Sequence, residues 1–207
     1  MNSSENRRWA LVGPLTVALW IVGLILLNHN GPADHATGSE ILAWYKSSTD
    51  TILLGGWLFM VACLGFVTFV AGLAQRLALP GLALAGAAIA GVSGMLTAAV
   101  DVAGGIDKND ITPSIAATFH HSVDIFFITA ELSAIVPLAV VAVVAWRTRA
   151  LPRWWAAFSG LVALVLLVGP IGWIGLIFGV PIWTLGTSLF VLLGSRDRMR
   201  AAAAAAA

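Results

Sequence analysis

Six stretches of this chain are long enough and apolar enough to cross a lipid bilayer, and that feature removes most folds from consideration. Hydrocarbon holds no water to satisfy backbone N–H and C=O groups, so a segment entering it must be a helix or part of a closed barrel. A spanning helix needs about 20 apolar residues. Such runs fall at about Trp9–Leu27, Thr51–Gln75, Gly81–Ala103, Ser114–Trp146, Trp154–Val168 and Ile171–Leu193. They are continuous rather than alternating, which favours helices over barrel strands. The expected fold is an all-α, polytopic transmembrane bundle of about six spans. Composition agrees: 59% of the residues are hydrophobic and only 10% are charged, against roughly 25% charged in a soluble domain. Arg7 and Arg8 before the first run imitate a signal peptide. The run is longer than a typical h-region of about 7–15 residues and no A-x-A pattern follows it, so it reads as a retained span.

Turn residues separate the runs. Asn28-His29-Asn30-Gly31-Pro32 stops the first, Pro80-Gly81 divides the second from the third, and Gly169-Pro170 divides the fifth from the sixth. Residues 1–195 are therefore expected to form one transmembrane domain, and 196–207 a basic cytoplasmic tail. Its closing run of alanines, Ala201 to Ala207, looks artificial and carries no functional reading. With the N-terminus inside, inner segments hold Arg7, Arg8, Arg76, Arg147, Arg149, Arg153, Arg196, Arg198 and Arg200, while outer segments hold only Lys46 and Lys108. A nine-to-two split is what the positive-inside rule requires, so both termini are expected in the cytoplasm and the protein in the inner (plasma) membrane. Trp9, Trp146, Trp154 and Trp155 are expected at the inner interface and Trp44 at the outer one. The net charge of +1 offers nothing to a nucleic acid. The single cysteine, Cys63, reads as a small buried apolar residue.

Two outer segments carry structure. Ser39 to Lys46 reads as a short helix on the membrane surface, capped by Ser39, with Ile41, Leu42, Trp44 and Tyr45 dipping into lipid. Thr112 and Pro113 read as the cap and first residue of the fourth span. The Trp44-Tyr45 segment leading into Thr51-Ile52-Leu53-Leu54-Gly55, and Leu151-Pro152-Arg153-Trp154 before the fifth span, resemble a widespread family of small bacterial six-span membrane proteins. The resemblance covers roughly residues 39–193. That family has no assigned biochemical function, so the likeness implies topology alone.

Ionisable residues within a span are costly and usually mark a site. The fourth span carries His120, His121, Asp124 and Glu131. At about 100° per residue, Asp124 lies about 40° and Glu131 about 20° from His120, so the three share a face, with Glu131 about 16 Å deeper. His121 points about 100° away, toward a neighbour or the headgroups. On the third span, Ser93, Thr97 and Asp101 repeat at four-residue spacing. Gly86, Ala90 and Gly94 do likewise, and small residues at that spacing admit a close neighbouring helix. If that neighbour is the fourth span, Asp101 approaches His120 or Asp124.

His and carboxylate ligands suit a divalent transition metal, with His120, Asp124 and Asp101 as ligands and His29 or His35 completing the shell. The same residues could instead form a hydrogen-bonded structural cluster, or handle protons or cations. Glu131, without a nearby cation, is expected to keep its proton. It could relay protons, act with Asp124 as an acid toward a lipid or isoprenoid, or simply hydrogen-bond Thr16, Thr68 or Thr184. Pro137 is expected to kink the fourth span and free a carbonyl. The many glycines of span six read as a packing face rather than a broken helix. No nucleophile-elbow, zinc-protease, P-loop or dinucleotide pattern occurs. Three readings follow: an outward-opening His/Asp/Glu pocket for a metal, protons or cations; an accessory subunit of a larger membrane complex or homo-oligomer; and a lipid-directed membrane enzyme.

Overall fold

The computed structural model describes the backbone of residues 11–33 and 35–205 and the side chains of that range up to residue 193. Arg7, Arg8, Trp9 and Asp34, and the side chains of Arg196, Arg198 and Arg200, lie outside the described residues. Among the described residues eight α-helices follow one another: α1 (Val12–Leu27), α2 (Gly38–Ser47), α3 (Thr49–Leu77), α4 (Gly81–Ile106), α5 (Pro113–Thr148), α6 (Arg153–Leu166), α7 (Gly169–Ile174) and α8 (Val180–Ala205). A π-helical turn, Gly175–Gly179, joins α7 to α8. No strand occurs among the described residues.

Among the described residues four segments are long and apolar enough to cross a membrane: α3, α4, α5, and Gly169–Leu193, which includes α7, the π turn and the first part of α8. The apolar helices α1 and α6 are shorter, at 16 and 14 residues. At 1.5 Å per residue, α6 spans about 21 Å, less than a hydrocarbon core of about 30 Å. By contrast α5 has 36 residues, about 54 Å of helix.

Local chemistry sets the ends. Thr112 caps α5 by accepting from the Ile115 N–H at 3.4 Å, with Pro113 at the first position. Helix α3 stops where Ala78 turns left-handed, at φ 48°, two residues before Pro80. The cap of α2 differs from the expectation. Thr37, not Ser39, caps it, because only Thr37 has a glutamate three residues on. The Thr37 N–H donates to Glu40 Oε2 at 2.7 Å and the Glu40 N–H to Thr37 Oγ1 at 3.4 Å, a reciprocal capping box.

Helices α3, α4 and α5 form the centre, with α1 against α3 and α6 against α5. The stripe of small residues on α4 works as expected, but toward two neighbours. A side chain at Gly86 would meet Val136 and Pro137 of α5, whereas one at Gly94 would meet Cys63 Sγ of α3. The glycines after α6 also pack. Added Cβ atoms would meet Leu166 at Gly175, Val162 at Gly179 and Trp155 at Gly186. Residues 175–186 therefore run back down α6.

Two tryptophans expected at interfaces are buried. Trp155 donates its Nε1–H to Thr187 Oγ1 at 2.9 Å and Trp44 donates to the His29 carbonyl at 3.3 Å. Each indole N–H finds a protein partner, so neither needs the wet headgroup layer. Trp146 and Trp154 are exposed, as an interfacial belt requires, and the Arg153 guanidinium lies 5.8 Å from the Trp146 ring.

Candidate functional site

Helix α2 builds the site. Its apolar residues were expected to enter lipid. Instead Ile41, Trp44 and Tyr45, at i, i+3 and i+4, are 1%, 6% and 0% exposed because α2 lies across the C-terminal end of α4 and the N-terminal end of α5. Two close approaches permit this. Gly38 abuts the Pro113 carbonyl at the start of α5, and the Tyr45 ring lies flat against Gly104 of α4, where any side chain would occupy the ring's place.

Under α2, three polar groups meet. The Tyr45 hydroxyl donates to Asp101 Oδ1 at 2.9 Å. His120 Nδ1 stands 3.5 Å from the same oxygen, an ion-pair distance but longer than a good hydrogen bond. The Trp44 ring meets the His120 ring edge-on, with centroids 5.7 Å apart. Asp101 is buried, while His120 keeps 28% of its side chain exposed. The imidazole thus connects a buried carboxylate to the outside. Burial, then the Asp101 charge and its hydrogen bond, push the Tyr45 phenol well above its ordinary 10.0, so this hydroxyl is a fixed donor. The α4 stripe continues inward from Asp101 through Thr97 and Ser93, both buried, and the Thr97 hydroxyl donates to the Ser93 carbonyl at 3.0 Å.

Asp101 and His120 therefore meet as the spacing of α4 and α5 foretold. Asp124 is exposed and no hydrogen bond or ion pair links it to either, although its charge acts on His120. Glu131 is 5% exposed and lies against Gly172 of α7. Asp124 and Glu131 sit near the same edge of the α5 inner face. The hairpin of α6 and α7 crosses that edge at Glu131 and covers it, while Asp124, seven residues toward the outer end, lies beyond the hairpin turn. Glu131 makes no hydrogen bond to Thr16, Thr68 or Thr184, the partners expected of it. Thr68 donates instead to the Leu64 carbonyl at 2.9 Å, and among the described residues the Glu131 carboxyl has no hydrogen-bonding or ion-pair partner.

No three His, Cys, Asp or Glu side chains among the described residues converge as a metal-ligand set. Asp101 and His120 form a pair, and Asp124 acts on His120 through its charge alone. His29 and His35 are exposed. His121 is exposed, its ring centroid 6.4 Å from that of His120.

An apolar cavity of ≈ 20 Å³ lies among α1, α3, α4 and α5, walled by Trp20, Phe59, Cys63, Thr97, Phe127 and Ala130. Trp20, on this wall, has a buried Nε1 without a hydrogen-bond partner among the described residues. Thr97 is one turn from Asp101 along α4.

Tyr45 is the member of this group that the sequence reading placed elsewhere. It is the chain's one tyrosine, and its position on an amphipathic helix fits burial against protein as well as against lipid. No family model matches the chain, and no curated protein or solved structure is significantly similar to it.

Proposed function

We propose that this is a six-span protein of the inner (plasma) membrane with both termini in the cytoplasm, and that it handles protons at Tyr45, Asp101 and His120. The nine-to-two partition of basic residues supports the orientation. It puts the α2 side outside, and the six-span count then includes the short helices α1 and α6. The topology of the small bacterial six-span family accords with it. Labelling a cysteine placed at Ser3 or Arg198 tests the orientation: reaction only from the cytoplasmic side is expected, and reaction from the outside alone overturns it.

One observation carries the functional reading. A single buried carboxylate oxygen accepts from a buried phenol hydroxyl and stands beside an imidazole that is partly exposed. Imidazole is the side chain that exchanges protons most readily near neutral pH. Tyr45 holds the carboxylate in place, His120 takes or delivers the proton at Nδ1, and Asp101 stabilises the imidazolium. The buried hydroxyls of Thr97 and Ser93 continue the polar groups inward from Asp101.

Proteoliposomes enclosing a pH-sensitive dye, under an imposed potassium diffusion potential, test the proposal. Wild-type protein is expected to pass protons faster than protein-free vesicles. Asp101→Asn and His120→Ala should fall to the protein-free rate and Glu131→Gln should slow it, while Asp107→Asn, on the exposed outer loop, should not. A wild-type rate equal to that of protein-free vesicles overturns the reading. So does a stoichiometric transition metal in the purified protein that disappears in both Asp101→Asn and His120→Ala, which would make the pair a metal site.

A further inference from the structure

The N-terminal half of α5 is covered by α4 and α2 on one side and by none of the described residues on the other, because the α6–α7 hairpin turns back at Glu131. The uncovered face has a regular pattern. Ser114, Thr118, His121, Ile125, Ile128 and Leu132 are all exposed and follow one another at alternating spacings of four and three. That alternation is the seam of paired helices, averaging about 3.5 residues per turn. The inner half of the seam is aliphatic, with Ile125, Ile128 and Leu132 exposed by 65%, 53% and 50%. Its outer half is polar, and the exposed Asp124 flanks it one turn from His121.

We infer that this face of α5 is a dimer interface, occupied by α5 of a second copy of the same chain. Two arguments select a second copy. First, the strip is self-complementary. It carries one basic and one acidic side chain a turn apart, and a two-fold axis brings His121 of each copy toward Asp124 of the other, the isologous arrangement of a symmetric dimer. Second, two copies in one membrane share an orientation, so their α5 helices run parallel. A four-three seam with apolar residues at its core positions packs in register in that arrangement. Lipid could cover the three aliphatic residues but offers no polar partner to the exposed side of Asp124, whose charge within its own chain acts on His120.

Disulfide cross-linking in native membranes tests this. Cys63 is buried, and Cys63→Ser removes it as a competitor. Single cysteines are then placed on the seam by Ile125→Cys, Ile128→Cys or Leu132→Cys, and on other exposed faces by Leu64→Cys of α3 or Leu161→Cys of α6. After mild oxidation, seam variants are expected to run mainly as dimers and the two controls as monomers. His121→Asp or Asp124→His alone should reduce the cross-linked fraction at residue 128, and the two together should restore it. Equal cross-linking at seam and control positions overturns the inference. So does a native mass spectrum of wild-type protein, released from membranes without delipidation, that shows only monomer, with or without bound lipid. Both readouts use the unaltered seam charges, so a failure of the charge variants to fold leaves the test intact.

Discussion

Tyr45 is the residue on which the outer site turns, and the chain offers an unusually direct way to watch it. It is the one tyrosine in the sequence, so a tyrosinate absorbance titration reports this side chain alone. Its phenol is held above the ordinary 10.0 by burial and by Asp101. Folded protein should therefore show no tyrosinate at pH 10, whereas unfolded protein should. Because the folded state keeps its proton while the unfolded state loses it, stability should fall as pH rises past 10.0. Tyr45→Phe should cost about 1–3 kcal/mol by leaving a buried carboxylate oxygen short of a donor, read as a lower melting temperature in detergent. Gly104→Val should be worse, since its side chain and the Tyr45 ring cannot share one place. An unchanged melting temperature for both variants would contradict the packing of α2 described here.

Among the elements, α2 and α4 carry the most testable packing. The capping box of α2 depends on an ionised Glu40, whose carboxyl is held below its ordinary 4.5 by the Thr37 backbone N–H and then by the Thr37 hydroxyl. A depressed folded pKa gives stability that is present above 4.5 and is lost as pH falls below it toward the folded value. Amide exchange in residues 38–41 should accelerate over that acid range in wild type and much less in Glu40→Ala. Thr37→Ala, which removes the cap at any pH, should cost about 1 kcal/mol. For α4, Gly86→Leu and Gly94→Leu each force a side chain against a neighbouring helix, Val136 and Pro137 in one case and Cys63 in the other. Overpacking of this kind costs about 1–3 kcal/mol, whereas Leu82→Ile, at a position 64% exposed, should be neutral. Equal thermal stability of all three would refute the close approach of α4 to both neighbours.

At the scale of the whole molecule, helix lengths decide where surfaces are left open. Helix α5 has 36 residues and α6 only 14, so in their antiparallel pairing α6 leaves the N-terminal end of α5 uncovered. The same mismatch explains the different fates of two carboxyl groups near one edge of one helix. Glu131 is buried under Gly172, and Asp124 is left outside. The Asp101–His120 pair is independent of that hairpin, because α4 and α2 alone enclose it. Gly172→Leu should therefore disturb Glu131 and the packing of α7 while leaving the Tyr45 titration unchanged. A shifted Tyr45 titration in that variant would show that the two regions are coupled.

Much of this architecture is legible without coordinates. Continuous apolar runs admit only helices in lipid, Gly and Pro divide them, and four-residue spacing places Ser93, Thr97 and Asp101 on one buried face of α4. The meeting of Asp101 with His120 follows from two helices joined by a short loop. Periodicity tells which residues share a face, because it is a property of one helix. It does not tell what covers that face, because that depends on where other helices begin, cross and end. For this reason Asp124 and Glu131 look equivalent in the sequence and differ in the fold. For the same reason α2, whose apolar side suits lipid and protein equally, delivers Tyr45 to Asp101 only because Gly38 and Gly104 leave room for it to lie down on α4 and α5.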